Sequence, residues 1–372
     1  MFKKKKLLFI ADKPDWAYEF MIKAWLPFLL NEYNCFIAYQ KDYAIKSNTA
    51  THSGIRKISY NLLNKLRLKL GLASKVYQIS ENHNYFYPVY RKNPVYQYDE
   101  KLQKHQTDQK DFDMITEMAF YLQYTAEFPF SAAKKIVGIF TDKFPHDGPN
   151  MDLKNNTDRN ILSREAFYNT YLKKFNHIIV GGGNLLNDYR KLTGKVDFVY
   201  GIYGQDNFIE NKTVGSKPYL TIGWTGTPDR PMKGFRAIIE PAIENVRRTG
   251  RDVRLKTKFS GPYEELYSFY RDVDCVIIAS DADSGPSMYA EACLSGVPCI
   301  STRIGLPLSF LKNGTNGIFI DRNIESLALA LTEIYDDRRK LQALAGAVKQ
   351  DYLRVMDNKL TVTYFEKILK EI

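Results

Sequence analysis

Over much of the first 210 residues, short apolar runs alternate with stretches in which apolar residues recur every three or four positions. The runs predict buried strands, and the spaced pattern predicts amphipathic helices. We therefore expect strands at residues 6–11, 34–38, 135–141, 177–180 and 197–200, and helices at residues 16–30, 112–128, 163–175 and 184–192. Residues 76–110 are rich in Tyr, Asn and Gln with no clear period, which is typical of a loop-rich insertion.

The alternation is interrupted at residues 209–218, a polar segment whose glycine and proline are typical of a linker, and then begins again. Strands are expected at residues 219–224, 253–258, 275–279, 299–302 and 317–320, and helices at residues 235–248, 263–270, 288–295 and 324–335. Because strands that alternate with helices form parallel sheets, the sequence predicts two α/β domains with doubly wound sheets. Ligands of such sheets bind beyond the carboxyl ends of the strands, so the cleft between the domains is the expected site.

The charge is concentrated in one region of the chain. The net charge of the 372 residues is +11. Residues 1–75 contain 12 Lys and 2 Arg against 5 Asp and Glu, so +9 of that charge lies there. Within this region, residues 54–75 place leucines at helical spacing with lysine and arginine beside them. Such a basic amphipathic segment favours either an anionic membrane surface or a helix packed on its own domain.

The overall composition is that of an ordinary folded protein. The apolar fraction is 44% and the charged fraction 26%, and no apolar run approaches the roughly 20 residues that span a bilayer. We expect a cytoplasmic protein that reaches the inner face of the membrane only as a peripheral protein. The four cysteines lack metal-ligand spacing and lie mostly in apolar runs, which is typical of buried residues in a reducing compartment. We therefore expect no bound metal.

The densest motif, SDADSGPSMYAEACLSGVPCI, begins at Ser280. An expected strand ends just before it, a polar loop with Asp283 and a glycine follows, and a helix is expected to begin near Pro286 or Ser287. Free backbone N–H groups and the positive end of the helix dipole make such a helix start suitable for phosphate. Glu291 lies one turn further on, on the same face, where it can accept hydrogen bonds from hydroxyl groups.

The segment from Asp283 to Glu291 and the residues after it, ACLSGVPCIST, closely resemble the E-x7-E motif of the family 4 glycosyltransferases, the glycosyl transferases group 1. Further matching segments are TIGWTGTPDRPMKGF at residues 221–235, YEEL and FYRDVD within residues 263–274, and GLP and LKNGTNGIFID within residues 305–321. The resemblance covers about residues 200–345, and over residues 1–200 it rests mainly on the order of elements. It implies the GT-B fold, in which two Rossmann-like, doubly wound α/β domains face a central cleft.

The resemblance also implies a domain organisation and a reaction. An acceptor-binding domain would occupy residues 1–210, a nucleotide-sugar donor-binding domain residues 211–345, and a helical segment at residues 346–372 would cross back to the first domain. The reaction would move a sugar, with retention of anomeric configuration, from a UDP- or GDP-linked donor to a hydroxyl of a cell-surface glycan or lipid-linked acceptor. The nucleotide sugar is a co-substrate, and neither a cofactor nor a metal is implied.

Donor-side roles are carried over from the family positions. Lys233 and Arg230 would neutralise the leaving diphosphate, while Asp283 would hold the donor sugar and Glu291 the ribose hydroxyls. Cations suit the first role because charge develops on the diphosphate as the anomeric bond breaks. Further donor contacts would come from the loop and the helix start, at Gly226, Thr227, Ser284, Gly285, Pro286, Ser287 and Met288.

The chain departs from the family pattern at several positions. Asp283 replaces the first Glu of the motif, and Thr227 occupies the position of a phosphate-binding Arg, for which Arg230 is the nearest substitute. The glycine-rich first loop of the family is replaced by residues 12–16. The acceptor side is therefore diverged, and its candidate residues are Asp12, Trp16, Asp142 and His146.

Other classes of protein compete with this interpretation. A non-catalytic glycosyltransferase-like partner subunit is compatible with Thr227 in place of the arginine. A nucleotide-sugar epimerase of the same fold would need histidines in the cleft, and the chain has only 5. A phosphorylase would need a pyridoxal lysine and a longer chain. No nucleic-acid recognition motif accompanies the basic charge, so we expect no nucleic-acid partner. The sequence leaves the oligomeric state open.

Overall fold

The computed structural model describes residues 3–43, 74–80, 83–91, 94–120, 128–140, 163–281, 283 and 285–372. The strands among them are β1 Lys5–Ala11, β2 Tyr33–Tyr39, β3 Ser74–Ser80, β4 His83–Arg91, β5 Val95–Tyr98, β6 Lys104–Thr107, β7 Asp111–Glu117, β8 Ser131–Ile139, β9 His177–Val180, β10 Val196–Phe198, β11 Leu220–Thr225, β12 Val253–Lys258, β13 Cys275–Ile278, β14 Cys299–Ser301 and β15 Gly317–Phe319. The α-helices are α1 Ala17–Leu29, α2 Arg164–Phe167, α3 Gly183–Arg190, α4 Glu240–Arg248, α5 Leu266–Phe269, α6 Ser287–Leu294, α7 Gly305–Phe310, α8 Ile324–Asp336, α9 Arg338–Met356 and α10 Asn358–Glu371.

The first sheet has eight strands in the order β10-β9-β8-β7-β1-β2-β5-β6. Strands β10 to β2 run parallel, and β5 and β6 add an antiparallel edge. The central strand β1 is paired on both sides, with Leu7 opposite Cys35 of β2 and Met114 of β7. Its last five residues, LLFIA, are all buried, as expected for a parallel strand covered on both faces.

The second sheet has five parallel strands in the order β12-β11-β13-β14-β15. Together the two sheets confirm the prediction of two α/β domains built on parallel sheets. The expected strand at residues 253–258 coincides with β12, and the other expected strands of this domain differ from the observed ones by one residue at one or both ends. The antiparallel edge of the first sheet is the exception, since the sequence predicted only parallel strands.

Two predictions for the first domain were wrong. Residues 112–128 were expected to form a helix, but Asp111–Glu117 is the strand β7 between β1 and β8. Because β7 is covered on both faces, its last four residues are buried in succession and the alternation that marks a strand is lost. Residues 76–110 were expected to be a loop-rich insertion, but they contribute to β3 and β4 and form β5 and β6.

Helix α10 lies against the first domain. The ring of Phe365 is centred 4.9 Å from that of Trp25 on α1 and 6.1 Å from that of Phe9 on β1. At the start of the helix, the Asn358 side chain accepts a hydrogen bond from the Ile202 N–H (3.0 Å) and donates one to the Ile202 carbonyl (2.8 Å). Residues from opposite ends of the described chain therefore share one core.

The carboxyl ends of the strands in the two sheets face each other. The Gly183 N–H, beyond β9, donates to Ser309 Oγ on α7 (2.9 Å). The Tyr200 hydroxyl, beyond β10, donates to the Gly285 carbonyl beyond β13 (3.2 Å). The cleft therefore lies where ligands of parallel α/β sheets bind. Within the described ranges, no helix combines the length and the hydropathy that crossing a membrane requires.

Candidate functional site

The loop after β11 carries Lys233 and is held tightly against the end of β13. It makes a single 3-10 turn at Pro231–Lys233 and then passes through Gly234, whose φ is +68°. A Cβ at Gly234 would lie 2.6 Å from the Ala279 carbonyl oxygen, so only glycine allows this approach. The Asp281 N–H also donates to the Met232 carbonyl (3.0 Å), which links the two loops directly.

Lys233 and Asp283 form an ion pair between these two loops. The side chains are 21% and 14% exposed, so the pair lies at the surface of the cleft rather than in the core. The sequence proposed both residues for the donor site, and the structure brings them together from 50 positions apart. Because β11 and β13 are neighbouring parallel strands, the residues that follow them meet at one edge of the sheet.

Arg322 ties the same loops together and was not predicted from the sequence. Its Nε donates to the Ala279 carbonyl (3.0 Å), and its Nη2 donates to the Pro231 carbonyl (3.2 Å). A usable signal was present, because Arg322 follows the expected strand at residues 317–320 and so belongs to the same carboxyl edge. The guanidinium fixes the backbone on either side of the Lys233–Asp283 pair.

The other loop candidates lie around this pair. Arg230 begins the 3-10 turn, and its guanidinium contacts Met232 Sδ at 3.2 Å. Gly226 and Thr227 are exposed at the end of β11. The structure therefore places all of them in one loop with Lys233.

The start of α6 adjoins the ion pair. Pro286 occupies the N-cap position, and Ser287 is the first helical residue and is exposed. Asp283 Oδ1 accepts a hydrogen bond from the Gly285 N–H (3.3 Å). Met288 Sδ accepts one from the Thr225 N–H (3.2 Å), which joins the helix start to the end of β11. Ser284 lies outside the described residues.

Tyr200 covers the backbone at Gly285. A Cβ added to Gly285 would lie 2.8 Å from the Tyr200 ring, so a larger residue would displace the ring that spans the cleft. The first domain therefore contacts the motif loop of the second.

Glu291 lies one turn below the helix start and is 1% exposed. The Tyr270 hydroxyl donates to its Oε2 at 2.6 Å. Burial raises the pKa of the Glu291 carboxyl to about 7, and the hydrogen bonds from Tyr270 and Ser287 oppose that rise. A carboxyl with such a pKa changes charge near neutral pH.

The acceptor-side candidates are only partly described. Asp12 follows β1, and burial raises the pKa of its carboxyl although the Lys13 N–H donates to it (2.9 Å). Trp16 is 43% exposed, and the Lys13 ammonium lies 3.4 Å from its ring centre. Trp16 is thus available at the surface rather than part of the core. Asp142 and His146 lie outside the described residues, as does most of the basic segment at residues 54–75.

Glu19 is a buried carboxylate beside this loop that the sequence did not single out. It accepts hydrogen bonds from the Asp15 N–H (2.7 Å), Lys104 Nζ (2.8 Å) and the Tyr98 hydroxyl (3.1 Å). Burial acts to raise the pKa of Glu19, but the Lys104 and Asp15 hydrogen bonds and the charge of Lys23 outweigh it, so the pKa is lowered. Glu19 therefore anchors the loop of residues 12–16, where Asp15 has a φ of +53°.

Among the described residues, no group of three or more His, Cys, Asp and Glu side chains is arranged to hold a metal ion. The four cysteines are free and buried. Burial raises the pKa of each thiol. All four pack among the buried apolar residues of one continuous cluster.

Solved structures resemble this chain over nearly its whole length. TarM matches with a TM-score of 0.61 and 12% identity over 99% of both chains. The sucrose-phosphate synthase of Thermosynechococcus elongatus matches with a TM-score of 0.61 and 10% identity over 99% of both chains. Anabaena HepE in complex with UDP and glucose matches with a TM-score of 0.59 and 12% identity over 99% of this chain and 100% of that one. The chain has the GT-B fold, as predicted.

Sequence comparison relates the second domain to a particular family. Residues 249–351 match the family described as Glycosyl transferases group 1, which confirms the resemblance seen in the motif around Glu291. The chain is 32% identical over 130 residues to the D-inositol 3-phosphate glycosyltransferase of Corynebacterium diphtheriae, covering 32% of this chain and 30% of that protein. It is 25% identical over 132 residues to the lipopolysaccharide core biosynthesis glycosyltransferase LpsE of Rhizobium meliloti, covering 30% of this chain and 39% of that protein. The chain thus spans about a third of the length of the curated relatives that it matches.

Proposed function

We propose that this protein is a retaining glycosyltransferase. It moves a sugar from a nucleotide diphosphate sugar to a hydroxyl of a cell-surface glycan or lipid-linked acceptor. The observation that carries the proposal is the convergence of Lys233, Asp283 and the buried Glu291 at the carboxyl ends of β11 and β13. The glycosyl transferases group 1 segment and the two glycosyltransferases among the relatives support the reaction class.

The leaving diphosphate is neutralised by the Lys233 loop. Lys233 supplies a point charge, and Arg230, in the same loop, grips phosphate oxygens through its guanidinium. The N–H groups at the start of α6 add donors and the positive end of the helix dipole. Arg322 holds the loop backbone, so these groups are preorganised for the charge that develops in the transition state.

The two carboxylates hold the rest of the donor. Asp283 accepts hydrogen bonds from the donor sugar, and Glu291 accepts them from the ribose. The UDP in the HepE structure supports a nucleotide diphosphate donor. Asp12 and Trp16 lie across the cleft and contact the acceptor, the Trp16 ring stacking on a sugar face. We assign no enzymatic nucleophile.

Binding of the nucleotide diphosphate tests this function directly. UDP or GDP is expected to bind in the presence of EDTA, with an affinity that Mn²⁺ changes little. Lys233 and Arg230 supply the positive charge that a metal ion would otherwise place beside the diphosphate. Isothermal titration with EDTA, and then with added Mn²⁺, measures this. Loss of binding in EDTA would show that the Asp281–Asp283 loop holds a metal instead.

The proposed partner also includes an anionic membrane surface. Exposed lysines precede or begin four of five neighbouring parallel strands, at Lys3, Lys5, Lys110, Lys173 and Lys195, and Lys135 lies midway along the remaining strand, β8. Four strand spacings of about 4.8 Å make this edge roughly 20 Å wide. Each basic residue near an anionic surface contributes about 1 kcal/mol, which supports reversible binding.

Liposome sedimentation checks the membrane contact. The protein is expected to pellet with anionic but not neutral liposomes, and less so as salt rises from 0.1 M to 1 M, where screening shortens to about 3 Å. Lys3→Glu, Lys110→Glu and Lys195→Glu together are expected to abolish pelleting. The same charge change at Lys212, Arg248 and Lys312 in the second domain is the control. Equal pelleting of the two triple variants would contradict a role for the lysine edge.

A further inference from the structure

Glu291 depends on a residue outside the motif for its position. Tyr270 is contributed by the short 3-10 turn after α5 and is fully buried. Its hydroxyl donates to Glu291 Oε2 at 2.6 Å, a short bond of the kind made to a charged acceptor. On its other side, the Tyr270 oxygen interacts with the hydroxyl of Thr225, the last residue of β11. The phenol thus connects the strand that leads into the Lys233 loop to the carboxyl of α6.

The remaining groups that face Glu291 are mostly tyrosines. Ser287 contributes a hydroxyl from the same helix. Tyr200, Tyr263, Tyr267 and Tyr352 interact with its charge from the segment after β10, the turn before α5, α5 itself and α9. The pKa of each of these phenols is raised above its ordinary value by burial, so they stay protonated at neutral pH. Only Tyr270 among the tyrosines donates a hydrogen bond to the carboxyl within the described part of the chain.

We propose that Tyr270 is the positioning residue for Glu291. Its hydrogen bond occupies Oε2 and stabilises the ionised carboxylate, which leaves the other oxygen for the ribose hydroxyls. The inference rests on the proposed function, because it takes Glu291 as the residue that binds the donor. Tyr270 itself touches no substrate in this arrangement and acts through the carboxylate.

Tyr270→Phe removes the hydroxyl while keeping the ring that fills the core. Loss of a hydrogen bond to the charged form is expected to raise the pKa of Glu291 by about one pH unit. Because the wild-type pKa is about 7, the ionised fraction at pH 7 would fall from about half to about a tenth. Binding of UDP or GDP, whichever binds more tightly, should then weaken about fivefold at pH 7 and less than twofold at pH 8.5.

The experiment is calorimetric titration of that nucleotide at pH 6, 7, 8 and 8.5, with the wild type and three variants. The ratio of affinities at each pH cancels the titration of the nucleotide itself. Tyr352→Phe, which removes a buried phenol that donates nothing to Glu291, should match the wild type. Glu291→Gln should bind weakly at every pH.

The outcomes separate this inference from the proposed function. A wild type that binds neither nucleotide at any pH would overturn the proposed function and the inference with it. Nucleotide binding that Tyr270→Phe weakens equally at pH 7 and pH 8.5, or leaves unchanged, would overturn only the positioning role. If Tyr270→Phe does not fold, Thr225→Val removes the hydroxyl that interacts with the Tyr270 oxygen, and it must shift the pH dependence in the same direction.

Discussion

Lys233→Ala is expected to lower the rate of sugar transfer about 100- to 1000-fold, the usual cost of removing one group that stabilises charge in a transition state. The loss should appear in kcat, because the charge on the diphosphate grows as the anomeric bond breaks. Stability should change little. The Lys233 side chain lies at the surface of the cleft with one ion-pair partner, and such pairs contribute about 1 kcal/mol or less.

A matched control is available on the neighbouring strand. Lys258 ends β12, is 13% exposed and pairs with Glu265. Lys258→Ala removes a similar ion pair at the same edge of the sheet and should leave kcat within a few fold of the wild type. Steady-state kinetics with the nucleotide sugar that binds best would compare the kcat of the Lys233→Ala and Lys258→Ala variants. Near-normal turnover in Lys233→Ala would assign phosphate neutralisation to another cation, with Arg230 next to be tested.

Glu291→Gln is expected to stabilise the fold at high pH while weakening the donor site. Burial raises the pKa of Glu291 from 4.5 to about 7, so the folded protein binds a proton that the unfolded chain has already lost between those values. The free energy of unfolding of the wild type is therefore not reduced by this carboxyl below pH 4.5, where it is protonated in both states. It falls as pH rises toward 7, because the folded protein must then bury a charge or hold a proton that the unfolded chain has lost. Glutamine does not titrate. The variant should be more stable by about 3 kcal/mol at pH 8 and by less than about 1 kcal/mol at pH 5.

Urea unfolding at pH 5 and pH 8 measures the two free energies of unfolding. Glu264→Gln, at an exposed position in the turn before α5, is the control, and it should change the free energy of unfolding relative to the wild type by the same amount at both pH values. A stability gain in Glu291→Gln that is the same at both pH values would mean that the buried carboxyl is not titrating in this range. Nucleotide binding by the same variant should be weak. Glu291 would then be a residue that lowers the stability of the fold but is needed for binding.

The sequence predicted the second domain well for a physical reason. Each of its strands is followed closely by its helix or turn, so an apolar run and the amphipathic pattern after it mark each unit. The first domain was harder because β7 is buried on both faces, and β5 and β6 form a polar antiparallel edge. Strand β7 lacks the alternation of apolar and polar residues, and β5 and β6 lack an apolar run. The assignment of strands from sequence depends on one or the other of these signals.

The same distinction holds for the site. Lys233 and Asp283 were predictable as neighbours because both follow strands of one parallel sheet. The burial of Glu291 under Tyr270 was not predictable, because it depends on side chains that meet only when α5, α6 and β11 pack together. Likewise, Glu19 meets Lys104 across 85 positions, which no local pattern records.

The packing of α10 on the first domain has a consequence for how the chain folds during synthesis. The strands β1 to β10 leave the ribosome first, yet the Phe365 ring that packs on Phe9 and Trp25 is added only after the entire second domain has been made. The surface of Phe9 and Trp25 that Phe365 covers in the finished fold therefore remains uncovered while residues 220–356 are translated. The second domain, whose strands and helices lie in one continuous stretch, is the part that can complete its core first. The half of the chain that is synthesised first therefore completes its core only after the later half has been made.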